Sequence, residues 1–131
     1  MYTINIKTTQ RNQFIDISVE IAKAIKAKGM QNGTCHIYVP HTTAAITINE
    51  NADRSVVLDI LEGLSRIVPQ KAQYHHAEGN SDAHIKASLL GSSVTVFIED
   101  GALILGTWQG IFFCEFDGPR QRRVYYKLSE D

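Results

Sequence analysis

The C-terminal third of the chain commits it to a sheet. "SVTVFIE", "ALIL", "TWQGIFFCEF" and "RRVYYKL" follow one another, rich in Val, Ile, Phe and Tyr. Turn signals separate them, at Asp100-Gly101 and at "DGPR". Branched and aromatic side chains suit a pleated surface, and Asp-Gly between apolar runs marks a tight hairpin. Whatever precedes this region must pack onto the sheet it makes.

The earlier part alternates strand and helix. "TINIKTT" (3–9) and "QFIDI" (13–17) read as strands. Ser18 is placed to cap a helix over "VEIAKAIKAK", whose Ile21, Ala24 and Ile25 form one apolar stripe and which Gly29 stops. "TCHIYV" (34–39) alternates, with Cys35, Ile37 and Val39 on one face and Thr34, His36 and Tyr38 on the other. Pro40 ends it, and "AAITI" resumes as strand. "ADRSVVLDILEGLSRIV" carries Ile60, Leu61, Leu64 and Ile67 at helical spacing, and Pro69 lies just beyond. Ser81 or Asp82 is positioned to cap a short helix over "AHIKASLL", stopped by Gly91. Seven or eight strands with three helices predict an α+β fold, a single compact domain over residues 1–131 with a mixed or antiparallel sheet.

Charge and cysteine usage narrow the function classes. A formal net charge of -1 argues against a general nucleic-acid binder, whose domain is usually strongly basic. No apolar run approaches the roughly 20 residues that span a bilayer, so no membrane partner is expected. "MYTINIKTTQ" alternates like a strand and lacks the regions of a signal peptide, which points to the cytoplasm. Cys35 and Cys114 sit in separate strand-like runs, as free, buried thiols of a cytosolic protein would.

Three places gather chemically capable side chains. "YHHAEGNSDAHIK" (74–86) holds three of the five histidines in a polar, turn-rich segment. His76 and His84 are eight apart, and a loop can fold the first back beside the second; neutral imidazoles with a nearby carboxylate suit zinc or a similar ion. Solvated loop histidines are the plainer alternative. In "PHTTAAITINENAD", His41 falls at a strand break, and Glu50 and Asp53 stand at the start of the long helix, where an acid also serves as an ordinary cap. At "DGPRQRR", Arg120, Arg122 and Arg123 follow a glycine turn: they suit a phosphate, and equally a charged strand edge. A lone tryptophan in a strand, Trp108, is most often core.

Together, "HTTAAITINENAD", the Tyr-x-His of "YHHAEG", "AHIKASLLG", "GTWQGIFF" and "FDGPR" resemble the secondary thiamine-phosphate synthase family over about residues 3 to 128. The resemblance implies a homotrimer with a site near the subunit boundary. His41, His76 and His84 would hold a divalent metal ion, zinc or manganese ahead of oxygen-preferring magnesium. Glu50, Asp53 and Arg120 would be the catalytic side chains. The implied reaction joins a pyrimidine diphosphate to a thiazole phosphate with release of pyrophosphate, so the partner is a small phosphorylated substrate, with Lys86 beside Arg120 on its oxygens. No Gly-rich phosphate loop is present. Two further readings use the same residues: a trimeric protein that holds metal or ligand without turnover, and histidines that merely stabilise a subunit contact.

Overall fold

A computed structural model describes all of residues 1–131. In chain order the elements are β1 (Tyr2–Lys7), β2 (Gln13–Asp16), α1 (Ser18–Lys28), β3 (Gly33–Tyr38), β4 (Ala44–Glu50) and α2 (Arg54–Ile67). There follow α3 (Ser81–Leu90), β5 (Ser93–Glu99), β6 (Ala102–Leu103), β7 (Gln109–Glu115) and β8 (Gln121–Glu130). They form an α+β domain with two sheets, ordered β1-β8-β3-β5-β6 and β2-β7-β4. Every strand pair is antiparallel.

The main core lies between the two sheets. Ile4 and Ile6 of β1, Cys35 and Ile37 of β3 and Val124 and Leu128 of β8 meet Ile46 of β4 and Ile111 and Phe113 of β7, with Ile21 and Ile25 of α1 filling one end. Alternation in β1, β3, β5 and β8 follows from this: one face of the larger sheet is buried and the other bears Thr34, His36, Tyr38 and Lys127. The smaller sheet is covered on both sides. On its second face Ala45, Phe112, Cys114 and Phe116 pack against Ala83 and Ala87 of α3 and, less closely, Val57 and Leu64 of α2. Hence β7 reads as one unbroken buried run, Gly110 to Glu115, rather than an alternating one.

Local signals are mostly obeyed. Asp100 and Gly101 both take positive φ, 52° and 79°, and join β5 to β6 as a two-residue turn. Gly29 ends α1 in the left-handed region, where its N–H reaches the carbonyls of Ile25 and Lys26. Asp53 caps α2, accepting from the Ser55 N–H.

Three expectations are corrected. Ser18 is the first residue of α1 rather than its cap, because its Oγ accepts the Ile111 N–H at 2.8 Å and ties the helix to β7. Ser81 and Asp82 also lie inside α3, which starts after Asn80. Trp108 is 61% exposed, since residues 107–108 form a turn ahead of β7 instead of strand.

Candidate functional site

α3 is not amphipathic: it buries charge and leaves Ile85 and Leu89 exposed. Its inward face reads Asp82, Ala83, Lys86 and Ala87, all buried. The two alanines let the helix sit close on Cys114 and Phe116. The two charged residues satisfy each other: Lys86 Nζ donates to Asp82 Oδ2 at 3.1 Å, and Arg11 reaches both Asp82 oxygens, at 2.9 and 3.0 Å. Burial alone would raise the Asp82 carboxyl; the Arg11 and Lys86 bonds outweigh it and hold it below the usual carboxylate range. Lys86 is only 2% exposed, so it is a structural partner of Asp82, not a group for phosphate oxygens.

With that face anchored, α3 turns His84 and Ser88 outward, and the Ser88 Oγ donates to the His84 carbonyl at 2.8 Å. The loop before α3 brings His76 beside His84, ring centroids 5.7 Å apart and nearly perpendicular at 89°. Tyr74 steadies that loop by donating its hydroxyl to the Pro69 carbonyl. His76 Nε2 stands 3.7 Å from Glu78 Oε2, both largely in solvent. Tyr74, His75, His76, Ser81 and His84 border a depression of about 470 Å³.

His84 also borders a second depression, of about 530 Å³, with His41, Thr42, Ser88 and Ser92. His41 follows Pro40 where the chain crosses from β3 to β4, and its Nε2 accepts the Arg123 N–H at 3.0 Å. That bond needs an unprotonated Nε2, so the neutral ring carries its hydrogen on Nδ1. Burial, and then the nearby Arg122 guanidinium, hold the imidazole below the ordinary histidine range.

The other singled-out side chains lie elsewhere, for neither depression includes Glu50, Asp53 or Arg120. Asp53 is occupied as the α2 cap, and the Ser55 hydroxyl and N–H bonds lower its carboxyl. Glu50 Oε2 accepts the Asp53 N–H at 3.2 Å. Arg120 pairs with Asp117 at 3.0 Å on an exposed turn. Of its neighbours, Arg122 is buried: Nε and Nη2 meet the Glu115 carboxylate, and Nη2 also meets Thr43 Oγ1. His36 lies on the open sheet face between Thr34 and Thr95.

Sequence reading overlooked the groove's hydroxyls, Thr42, Ser88 and Ser92. Ser88 carried a signal, since four residues after His84 is the same helix face. The pairing of His41 with the β8 backbone carried none.

The expected metal centre is corrected. No group of three or more His, Cys, Asp or Glu side chains is placed to hold a metal ion. His41 borders the second depression and not the first, and one of its nitrogens is already taken by Arg123.

Comparison with known proteins also corrects the resemblance drawn from the motifs. Residues 2–131 match the family described as UPF0047 protein YjbQ-like. A UPF0047 protein of Methanocaldococcus jannaschii is 53% identical over 131 residues, covering 100% of this chain and 95% of that one. The UPF0047 protein YugU of Bacillus subtilis is 50% identical over 127 residues, 96% of each. Among solved structures, a YjbQ/UPF0047 protein of Clostridium acetobutylicum superposes with a TM-score of 0.96 at 52% identity, covering 98% of this chain and all of the other. A YbjQ-like protein of Sulfolobus solfataricus gives 0.94 at 32% identity, covering 99% and 96%. The first of these structures is described as an uncharacterized conserved protein and the second as one of unknown function. Neither the matches nor the site geometry support a thiamine-phosphate synthase, a transferase or dependence on a metal, and those expectations are withdrawn. The match over nearly the whole chain, with relatives above half identity across it, makes this chain a member of the UPF0047 YjbQ-like family.

Proposed function

We propose that the protein binds a small phosphorylated molecule in the paired depressions along α3 and exchanges protons with it through imidazole. The observation that carries this reading is the position of His84, which borders both depressions and so puts His76 on one side of a ligand site and His41 on the other. Imidazoles and the hydroxyls of Thr42, Ser88 and Ser92 supply donors for phosphate oxygens, His41 supplies a fixed Nδ1–H because its Nε2 is engaged by the Arg123 N–H, and proton exchange falls to His76 and His84. The ligand completes its shell in a homotrimer. Support for association comes from the large apolar side chains left on the surface, among them Leu89 on α3 itself and Phe97 and Trp108.

The test is an NMR titration of the ring carbon-bound protons of the five histidines with a panel of small phosphomonoesters, with sedimentation run on the same samples. Shifts at His41, His76 and His84 but not at His36, lost in His84→Ala, are expected. Shifts spread evenly over all histidines, or binding unchanged in His84→Ala, would remove the groove from consideration. A monomer in sedimentation would remove the trimer.

A further inference from the structure

A separate cavity of about 340 Å³ lies between α2 and the smaller sheet, lined by none of the histidines. Its floor is aromatic: Phe14 of β2 and Phe112 of β7 have ring centroids 5.7 Å apart, tilted by 40°. Val57 and Leu61 of α2 form the wall. The volume is at the small end of the range for ligand pockets, about 300–1,000 Å³, and suits a single ring with one substituent.

The polar rim is sorted into groups that are engaged and groups that are free. Asp16 is engaged: Oδ1 accepts the Ser18 N–H at 2.8 Å and Oδ2 accepts from Asn51 Nδ2 at 2.9 Å. Asn51 is pinned in turn against Gly110, where an added Cβ would collide with the Asn51 side-chain amide. Gln13 is engaged too, its Oε1 taking the N–H groups of Thr9 and Gln10. Arg54 is free. It lines the cavity, and every ion pair of the chain is made elsewhere. It is also the first residue of α2, but the Asp53 carboxylate already caps that helix end, so the attraction for an anion comes from the guanidinium itself.

α2 gives an independent indication that the cavity is meant to be filled. Val57 and Leu64 pack toward the sheet and Leu61 lines the cavity, yet not one α2 residue is fully buried. A flat ring between Val57, Leu61 and the two phenylalanines would complete that contact.

We propose that this slot binds a small aromatic carboxylate, its ring on Phe14 and Phe112 and its carboxylate on Arg54, with the free Gln10 side-chain amide as second donor. Charge selects the class: a neutral aromatic gains the apolar contact alone, whereas a carboxylate gains a charge-assisted, bidentate pair as well. The site is distinct from the histidine groove, so the two stand or fall separately.

The experiment titrates benzoate and benzamide into the whole chain with its Val and Leu methyls isotopically labelled. Benzoate is expected to shift the methyls of Val57, Leu58 and Leu61 and to bind at least about tenfold more tightly than benzamide, the value of one good charged contact. Arg54→Gln, an exposed change that leaves the core intact, should bring benzoate down to the benzamide level. His84→Ala should leave benzoate binding as it was. Equal affinity for the two probes, no effect of Arg54→Gln, shifts confined to the histidine groove, or no methyl shift at millimolar benzoate would each overturn the proposal.

Discussion

At the scale of single residues, the strongest constraints are charges inside the protein. Glu115 is wholly buried on β7, and its carboxylate takes Arg122 Nε and Nη2, the Thr8 hydroxyl and the N–H groups of Phe116 and Asp117. Such a cluster does not of itself make the fold more stable than an apolar one would, but removing one partner strands the other charge. Arg122→Met is therefore expected to cost about 3–5 kcal/mol in urea unfolding, while Arg123→Met on the exposed face of the same strand costs under about 1 kcal/mol. Equal losses would mean that Arg122 acts through its alkyl stem alone. His41 gives a pH signature. Its folded pKa is depressed, so the unfolded chain binds the extra proton, and the stability this neutral ring contributes is present above the ordinary histidine pKa and lost as pH falls through the folded one. His41→Gln keeps an acceptor for the Arg123 N–H but cannot titrate. Unfolding free energy measured from neutral to mildly acidic pH should decline less in His41→Gln than in the parent, and parallel declines would show that the burial of this ring has no energetic consequence. These residue-scale facts were the least legible ones. Arg122 looked like a phosphate ligand or an edge charge, and Lys86 like a phosphate contact, because partners 7 residues away across a turn, or 71 away as for Arg11 and Asp82, leave no mark on local sequence.

At the scale of elements, existence was legible and packing was not. The apolar stripes of α1 and α2, the Asp-Gly hairpin and the alternating strands are local properties, and each element formed where its pattern lay. What a stripe cannot reveal is how tightly it is covered. α1 buries Ile21 and Ile25 completely, whereas α2, with the cleaner stripe, only half-buries Val57 and Leu64. Hydrogen exchange should expose the difference: α2 amides are expected to exchange through a local opening, well before those of β7 and β3 at the centres of the two sheets. Protection of α2 equal to that of β7 in the isolated chain would contradict the loose packing described for it. α3 shows the opposite arrangement. Nothing large lies between it and the sheet, so Ala83→Leu must push the helix outward, at a cost of about 1–3 kcal/mol, and carry His84 with it. The caps expected at Ser18 and at Ser81 or Asp82 were misjudged because a polar side chain near a helix start has more than one partner open to it: the Ser18 hydroxyl went to the β7 backbone and the Asp82 carboxylate to Arg11 and Lys86.

At the scale of the molecule, the smaller sheet has an apolar layer on each side, and whether the two layers melt together is open to a direct measurement. The sequence hinted at this in the unbroken run "GIFFC", which alternation could not explain, but not at a second sheet: strand order depends on contacts far apart in the chain. The two cysteines happen to report the two layers separately. Cys35 lies in the main core between the sheets and Cys114 in the layer beneath α3. Burial pushes the Cys35 thiol up to about 11 and the Cys114 thiol well above its usual value, so neither offers a thiolate to a reagent at neutral pH while folded. A thiol-specific disulfide reagent should thus leave the native protein unlabelled and, with rising denaturant, modify both cysteines at one common rate, that of global unfolding. A cooperative domain of this length requires that coincidence. Labelling of Cys114 ahead of Cys35 would show instead that α3 lifts from the sheet while the main core holds, and the histidine groove would then be a surface that opens with the helix rather than one built into the folded frame.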